Sequence, residues 1–209
     1  MPTRLEIETP HGLAWIDLDR PRGANAVLAL GHGAGGSVEA PDLVAVRDAG
    51  VAAGYAVARI TQPYRVAGRR GVAPAAQLDA AWLAAVGALR RQRGFARLPL
   101  LVGGRSSGAR VACRTSAATG AAGVVALAFP VHPPGKPHNS RLAELDQVGV
   151  PVLVVQGDRD PFGMPPAAAG RTVVVVEGAD HGLKKGRATI VEAVLEFVAG
   201  LTAGDRGVN

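Results

Sequence analysis

The spacing of apolar residues changes along the chain, and each change predicts a different kind of element. Near the N-terminus, "RLEIE" and "LAWIDL" alternate apolar with polar residues on either side of "TPHG", a pattern typical of a β-hairpin. Further on, continuous apolar runs predict strands that are buried on both faces. These runs are "NAVLAL", "YAVARI", "LPLLV", "GVVALAF", "VPVLVV" and "RTVVVV".

Between these runs, apolar residues recur at helical spacing. We predict helices over residues 40–53, 75–93 and 108–118, and a last helix with Ile190 and Val194 on its apolar face. Strands that alternate with helices imply right-handed crossovers and a parallel sheet covered on both faces. The pattern therefore predicts a single domain over residues 1–209, with an open, doubly wound α/β fold and an N-terminal β-hairpin.

Two segments are predicted as loops because proline and glycine interrupt them. They are the basic stretch "TQPYRVAGRRGVAP" and the proline-rich stretch "PVHPPGKPHNSR". The second is too short to hold several helices, so we expect little or no lid over the carboxyl ends of the strands, where ligands of such sheets bind.

Composition limits the compartment and the partners. The 209 residues are 48% hydrophobic and suit one buried core. We find neither a signal-like apolar segment at the N-terminus nor the ~20 consecutive apolar residues that span a bilayer, so we expect no membrane partner. The single cysteine, Cys113, cannot form an internal disulfide, which favours a cytoplasmic location.

The chain is basic, with a net charge of +6 and a sequence pI near 10.4. Such a charge would suit a polyanionic partner. However, the basic residues are scattered, and only 4% of the residues are aromatic and able to stack on bases. We therefore interpret the arginines as solvated surface charges and expect no nucleic-acid partner.

The stretch "GGRSSGARVAC" follows a predicted strand and contains G-x-S-x-G with Ser106 at its centre. Shifting the motif to Ser107 fails, because Arg105 and Ala109 would stand where glycine is needed. A strand, a tight turn and a helix form the setting of a nucleophile elbow, which predicts Ser106 as a nucleophile. A phosphate-binding loop is disfavoured, since no G-x-x-x-x-G-K-[ST] occurs.

A serine nucleophile needs a base and an acid that follow it along the chain. His181 comes after the late strand "RTVVVV" and before the last helix, which favours it as the base. The acid should lie in "QGDRDPFG", where we prefer Asp160 to Asp158. We discount Asp180 because it is adjacent to His181 in sequence, and its side chain would point away from the histidine ring. Reading the two aspartates as a metal-binding D-x-D is a weaker alternative, and the other histidines form no metal-ligand motif, so no metal is expected.

The loop after the first predicted parallel strand, "GHGAGG", is where a second oxyanion donor is expected. The basic loop also follows a strand and could reach the rim of the site. Tyr64 and Arg65 would then lie closest to the substrate, with His32 in the glycine loop, and the arginines could receive an anionic acyl or leaving group.

With these residues in place, the chain resembles the α/β-hydrolases over nearly its whole length. The motifs "GHGAGG", "QPYRVAGRR", "GGRSSGARVA", "QGDRDPFG" and "ADHGLK" are similar to a small dienelactone-hydrolase-like group that includes hydrolase-like domains of testis-expressed and NSL-complex proteins. The resemblance implies a Ser106, Asp160 and His181 triad without a cofactor. It also implies an oxyanion hole made by the amides of Ser107 and of Ala34 or Gly33.

This resemblance predicts a serine esterase that acts on a small-molecule ester. True dienelactone hydrolases carry cysteine at the elbow, so dienelactone is not the expected substrate. The competing hypothesis is a binding module on a hydrolase scaffold that has lost its activity, because a fold does not determine function.

Overall fold

The computed structural model describes residues 2–203. Its strands, numbered in chain order, are β1 (Thr3–Thr9), β2 (Gly12–Asp19), β3 (Val27–Gly31), β4 (Ala56–Thr61), β5 (Leu100–Arg105), β6 (Gly123–Leu127), β7 (Val152–Gly157) and β8 (Arg171–Val176). Its helices are α1 (Pro41–Ala52), α2 (Pro63–Val66), α3 (Ala75–Arg90), α4 (Ser107–Thr119), α5 (Leu142–Asp146) and α6 (Arg187–Ala203).

All of these strands belong to one sheet with the order β1-β2-β4-β3-β5-β6-β7-β8. The hairpin strands pair antiparallel with each other, and β2 also pairs antiparallel with β4. From β4 to β8 every neighbouring pair is parallel, with β3 and β5 at the centre. This arrangement confirms the mostly parallel, doubly wound sheet with an N-terminal hairpin.

The sheet separates two apolar layers, which is why its central strands are apolar on both faces. One layer packs α3 and α4 against the sheet around Trp82, Phe95 and Phe129. The other packs α1 and α6 around Leu43 and Ile190. Each of these fully buried side chains contributes about 1.5–3 kcal/mol by leaving water, so the two layers anchor the strand ends that carry the site.

Two short helices that the sequence pattern did not indicate lie in or directly after the predicted loops. The basic loop begins with the single-turn helix α2, in which Pro63 takes a first-turn position where its missing N–H is not needed. The proline-rich stretch leads into the five-residue helix α5. Among the described residues between β6 and β7, α5 is the only helix, which confirms that the fold lacks a full helical lid.

Helix α3 ends at Arg90, three residues before the predicted boundary. The Arg90 guanidinium donates hydrogen bonds to the carbonyls of Phe95, Ala96 and Leu98, which follow it in the chain. These bonds stabilise the turn that leads into β5, and therefore the entry to the strand that carries Ser106. Within residues 2–203, no helix has the combined length and apolar character needed to cross a membrane.

Candidate active site

Ser106 lies at the sharp turn between β5 and α4. Its φ of 52° and ψ of −109° lie in a region that residues other than glycine rarely adopt. Such a conformation costs on the order of 1–3 kcal/mol and persists only where the surrounding structure enforces it. Here the Ser106 amide donates a 2.9 Å hydrogen bond to the Leu127 carbonyl of the neighbouring strand β6, which holds the turn in place.

Glycines at positions 104 and 108 let this turn pack against the end of β3. Gly104 has a φ of 154°, and a Cβ there would collide with the backbone of Gly31. A Cβ at Gly108 would collide with the carbonyl oxygen of Gly31 and come within 2.9 Å of that of His32. The missing Cβ atoms therefore allow helix α4 to start directly beside the loop that follows β3.

The side chains of Ser106, His181 and Asp160 form a continuous hydrogen-bonded line. His181 Nε2 lies 2.9 Å from Ser106 Oγ, and His181 Nδ1 lies 2.8 Å from Asp160 Oδ2. A carboxylate can only accept a hydrogen bond, so Nδ1 carries the proton and Nε2 is free to accept one from the serine hydroxyl. The His181 side chain is 21% exposed, whereas the Asp160 side chain is fully buried.

Two residues that the sequence analysis did not single out hold Asp160 and His181. The Gln156 side-chain amide donates to Asp160 Oδ2 at 2.8 Å, and the Phe162 backbone amide donates to Oδ1 at 2.8 Å. The Phe162 ring stacks on the His181 ring with 4.1 Å between centroids. Gln156 is a buried polar residue in an otherwise apolar strand, a signal that could have identified it.

The other nearby acids do not reach His181. Asp158 is exposed in the turn after β7. Asp180 is also exposed, and its Oδ1 accepts a 2.8 Å hydrogen bond from the Gly182 amide. Of the three aspartates considered from the sequence, the structure brings Asp160 to the histidine.

A cleft of about 270 Å³ opens in front of Ser106. Ala34 and Ser107 line it beside Ser106, and their backbone amides donate no hydrogen bond within the described part of the chain. The Ser107 amide belongs to the first turn of α4, where the helix dipole favours negative charge. These two N–H groups are suited to bind a developing oxyanion.

A family model described as "Alpha/beta hydrolase domain" matches residues 24–195, which is most of the chain. The chain belongs to the alpha/beta hydrolase family.

Solved structures that resemble this hydrolase share its fold at low sequence identity. An α/β serine hydrolase without a lid, XC6422 from Xanthomonas campestris, has a TM-score of 0.75 at 20% identity, and the match covers 94% of each chain. Est1E from Butyrivibrio proteoclasticus has a TM-score of 0.77 at 18% identity and covers 96% of this chain and 99% of its own. Dienelactone hydrolase from Anabaena variabilis has a TM-score of 0.72 at 19% identity, with 94% of each chain covered. No curated protein matches the sequence of this hydrolase.

Two residues that we expected to contact substrate, His32 and Tyr64, make hydrogen bonds to carbonyl oxygens of the glycine loop at residues 31–36. His32 is 2% exposed, its Nδ1 lies 2.8 Å from the Gly33 carbonyl oxygen, and its Nε2 accepts a hydrogen bond from the Gln62 amide. Burial lowers the pKa of His32, which keeps the ring neutral. The Tyr64 hydroxyl donates to the Ala34 carbonyl oxygen at 2.7 Å.

The structure does not place His32, Tyr64 or Arg65, which we expected to contact substrate, in the lining of the cleft at Ser106. Both ring nitrogens of His32 are engaged within the chain. Tyr64 is buried and lines a neighbouring cavity of about 360 Å³ rather than the cleft of Ser106. Arg65 lines neither cavity, and its guanidinium donates to the Arg69 carbonyl. Sequence reasoning missed this arrangement because hydrogen bonds between separate loops leave no local pattern.

Arg105, the residue before Ser106, connects the elbow to the loop that carries His181. Its Nε donates to Asp42 Oδ2 at 2.9 Å, and its Nη2 donates to the His181 carbonyl oxygen at 2.6 Å. The Asp42 side chain is fully buried at the start of α1. Burial raises the pKa of Asp42, while the charge of Arg105 acts in the opposite direction. Arg105 therefore compensates the negative charge of the buried Asp42 carboxylate and also holds the backbone of His181.

In residues 2–203 of the hydrolase, no group of three or more His, Cys, Asp or Glu side chains lies close enough together to hold a metal ion.

Proposed function

We propose that this hydrolase is a serine carboxylesterase that transfers the acyl group of a small ester to water through Ser106. The observation that carries the proposal is the line of hydrogen bonds from Ser106 Oγ to His181 Nε2 at 2.9 Å and from His181 Nδ1 to Asp160 at 2.8 Å. A serine hydroxyl is a weak nucleophile near neutral pH, and a hydrogen-bonded imidazole is the group that activates it.

In the acylation half of the reaction, Ser106 Oγ attacks the ester carbonyl carbon while His181 Nε2 takes its proton. The carbonyl oxygen then carries a negative charge, which the amides of Ala34 and Ser107 stabilise. Donors aimed at this oxygen are worth about 2.7–4 kcal/mol each in related chemistry. When the tetrahedral intermediate collapses, His181 gives its proton to the leaving alcohol, and the acyl group remains on Ser106.

In the second half, water attacks the acyl-enzyme and His181 takes a proton from it. The new tetrahedral intermediate collapses, the acid is released, and His181 returns the proton to Ser106 Oγ. Asp160 remains ionised throughout, holds the imidazole tautomer and stabilises the imidazolium form. Gln156 and the Phe162 amide keep Asp160 aimed at Nδ1 through their hydrogen bonds to both carboxylate oxygens.

The substrates that fit best are small esters. The cleft in front of Ser106 is about 270 Å³ and opens to solvent. A cleft of this size leaves little room to bury a long acyl chain, so the transition states of short-chain aryl esters should be bound nearly as well as those of longer ones.

A fluorophosphonate probe tests this proposal without knowledge of the natural substrate. The probe reacts with a serine only where a base removes the hydroxyl proton and donors stabilise the adduct. We expect stoichiometric labelling at Ser106, located by peptide mass, and hydrolysis of para-nitrophenyl acetate. Both should be lost in Ser106→Ala and His181→Ala.

Ser107→Ala is the matched control, because Ser107 contributes its backbone amide and should keep most of the activity. If Ser106→Ala and Ser107→Ala lose activity equally while both stay folded, the assignment of the nucleophile is wrong. If the folded wild-type protein remains unlabelled and inert to aryl esters, it is a binding module rather than an esterase.

A further inference from the structure

Three arginines line the cleft of Ser106, and two of them are paired with acids. Arg110 makes a bidentate contact with Glu144 at 2.7 and 2.6 Å. Arg114 makes another with Asp79 at 2.9 and 2.6 Å and also reaches Glu144 at 3.2 Å. These two guanidinium groups are therefore held in place by carboxylates, and the charge of each is compensated.

Arg141, the third arginine, is different. Its backbone amide donates to the Val131 carbonyl oxygen at 2.7 Å, which fixes the main chain at the edge of the cleft. Within residues 2–203, its guanidinium makes no hydrogen bond and has no carboxylate oxygen within 4.0 Å. Burial and the charge of Arg110 both lower the pKa of Arg141, while Glu144 acts in the opposite direction. The side chain is thus half-buried without a counter-charge of its own.

Among the described charged side chains that line the cleft, Arg141 is therefore the one without an ion pair. The lining of the cleft contains Arg110, Arg114 and Arg141 but no acidic residue, and the two acids that pair with Arg110 and Arg114 do not line the cleft. A partly desolvated guanidinium gains most from a planar anion that accepts two parallel hydrogen bonds. A ligand carboxylate has this geometry and the single charge that the site lacks, whereas a phosphate monoester carries about two charges.

We propose that Arg141 binds a carboxylate of the substrate, so that the preferred substrates of Ser106 are esters that carry one free carboxylate. This inference rests on the proposed esterase function. It replaces the expectation that arginines of the basic loop receive an anion, because Arg65 lies outside the cleft and Arg69 lines the neighbouring cavity. Arg141 is therefore a specificity-determining residue, and Arg110 and Arg114 form the ordered wall beside it.

Two pairs of esters test this inference, each pair differing only in its carboxylate. In the first pair, a para-nitrophenyl ester of adipic acid carries at its far end either a free carboxylate or a methyl ester. In the second pair, para-acetoxyphenylacetate is compared with its methyl ester. The first pair places the charge on the acyl group and the second on the leaving group, so the pair that responds tells which side of the scissile bond faces Arg141.

The measured quantity is the ratio of kcat/KM for the charged ester to kcat/KM for the neutral ester of the same pair. A hydrogen bond to a charged partner is worth enough that Arg141→Gln should lower this ratio by about tenfold or more in one pair. Arg141→Glu should lower it further through repulsion, and Arg141→Lys should recover part of it. Arg97→Gln is the matched control, since it removes the same charge from an exposed arginine outside the cleft and should leave both ratios unchanged.

The outcomes separate the two proposals. If Ser106-dependent hydrolysis is present but Arg141→Gln leaves both ratios unchanged, the carboxylate site is wrong and the esterase function stands. If neither ester of either pair is hydrolysed, the esterase function fails. Binding of monomethyl adipate to Ser106→Ala protein, measured by calorimetry with and without Arg141→Gln, then decides the carboxylate site independently, and equal binding in the two proteins would contradict it.

Discussion

Arg105 Nη2 donates a 2.6 Å hydrogen bond to the carbonyl oxygen of His181, so the residue that precedes Ser106 also holds the backbone of the histidine. The same guanidinium pairs with the buried carboxylate of Asp42 at 2.9 Å. One side chain therefore connects strand β5, helix α1 and the loop before α6. This contact restrains the position of His181 relative to Ser106 by means other than the hydrogen bond between their side chains.

We expect Arg105→Leu to lower both stability and kcat. Removing one partner of a buried ion pair leaves an uncompensated carboxylate at Asp42, which costs about 3 kcal/mol or more in the free energy of unfolding. Loss of the bond to the His181 carbonyl should lower kcat more than it raises KM, because a displaced base affects the chemical step. Denaturant unfolding and steady-state kinetics on an aryl ester measure the two effects.

The double variant Arg105→Leu/Asp42→Asn separates positioning from stability. It removes the buried charge, so it should recover most of the lost free energy of unfolding, while kcat stays low because the bond to His181 is still absent. Recovery of kcat together with stability would mean that Arg105 has no positioning role.

Replacing Asp160 with asparagine should have a far larger effect on kcat than replacing Asp158. An amide in place of the triad acid permits the wrong imidazole tautomer and lowers kcat by about 10⁴. Asp158 is exposed, and His181 Nδ1 bonds to Asp160 instead, so Asp158→Asn should change kcat little. Steady-state kinetics of the two variants give the ranking, and the opposite order would move the acid to Asp158.

The glycine at position 108 should tolerate no side chain, because of the backbone it packs against. In Gly108→Ala the new Cβ would meet the carbonyl oxygen of Gly31, and main chain cannot move aside as a flexible side chain can. We expect a loss of about 2 kcal/mol or more in the free energy of unfolding, with displacement of the elbow and loss of esterase activity. Thermal unfolding together with fluorophosphonate labelling measures both effects.

Gly149→Ala is the matched control for this prediction, because a Cβ there would have no neighbour within 4 Å. Its melting temperature and labelling should match those of the wild-type protein. Equal melting temperatures for Gly108→Ala and wild type would show that the contact with Gly31 does not restrict this position.

Cys113 should be unreactive in the folded protein over the ordinary pH range. The residue is 1% exposed, and burial raises the pKa of its thiol to about 12. The thiolate is the reactive form, so native protein at about pH 8 should not react with a disulfide reagent such as dithionitrobenzoate, whereas protein unfolded in guanidinium should react fully. Rapid labelling of the native protein would contradict the packing of α4 against the sheet.

The same pKa has a consequence for stability. A thiol that ionises less readily in the folded state than in the unfolded state stabilises the fold fully below its ordinary pKa of 9.0. That contribution is lost as the pH rises towards about 12, because only the unfolded chain releases the proton there. Compared with Cys113→Ala, the wild-type protein should lose stability more steeply above about pH 9.

Local pattern alone was enough to predict the fold and the strand ends that carry the candidate site. Apolar runs and helical periodicity reflect which faces of an element are buried, and the order of neighbouring residues is enough to show those faces. The elbow at Ser106 follows in the same way, because glycines at positions 104 and 108 reflect a close approach of backbones. The short helices α2 and α5 were missed, since each has too few residues to establish a periodicity.

Only the tertiary structure decided which side chains meet across the site. Asp160 and Asp158 are two residues apart, and the fold of the turn after β7 buries one beside His181 and exposes the other. His32 and Tyr64 follow strands as ligand-binding residues do, yet both form hydrogen bonds with a loop remote in sequence. Arg141 differs from Arg110 and Arg114 because Glu144 and Asp79 form ion pairs with those two and not with Arg141. Hydrogen bonds and ion pairs depend on distances between segments far apart in sequence, and local patterns of hydrophobicity do not predict those distances.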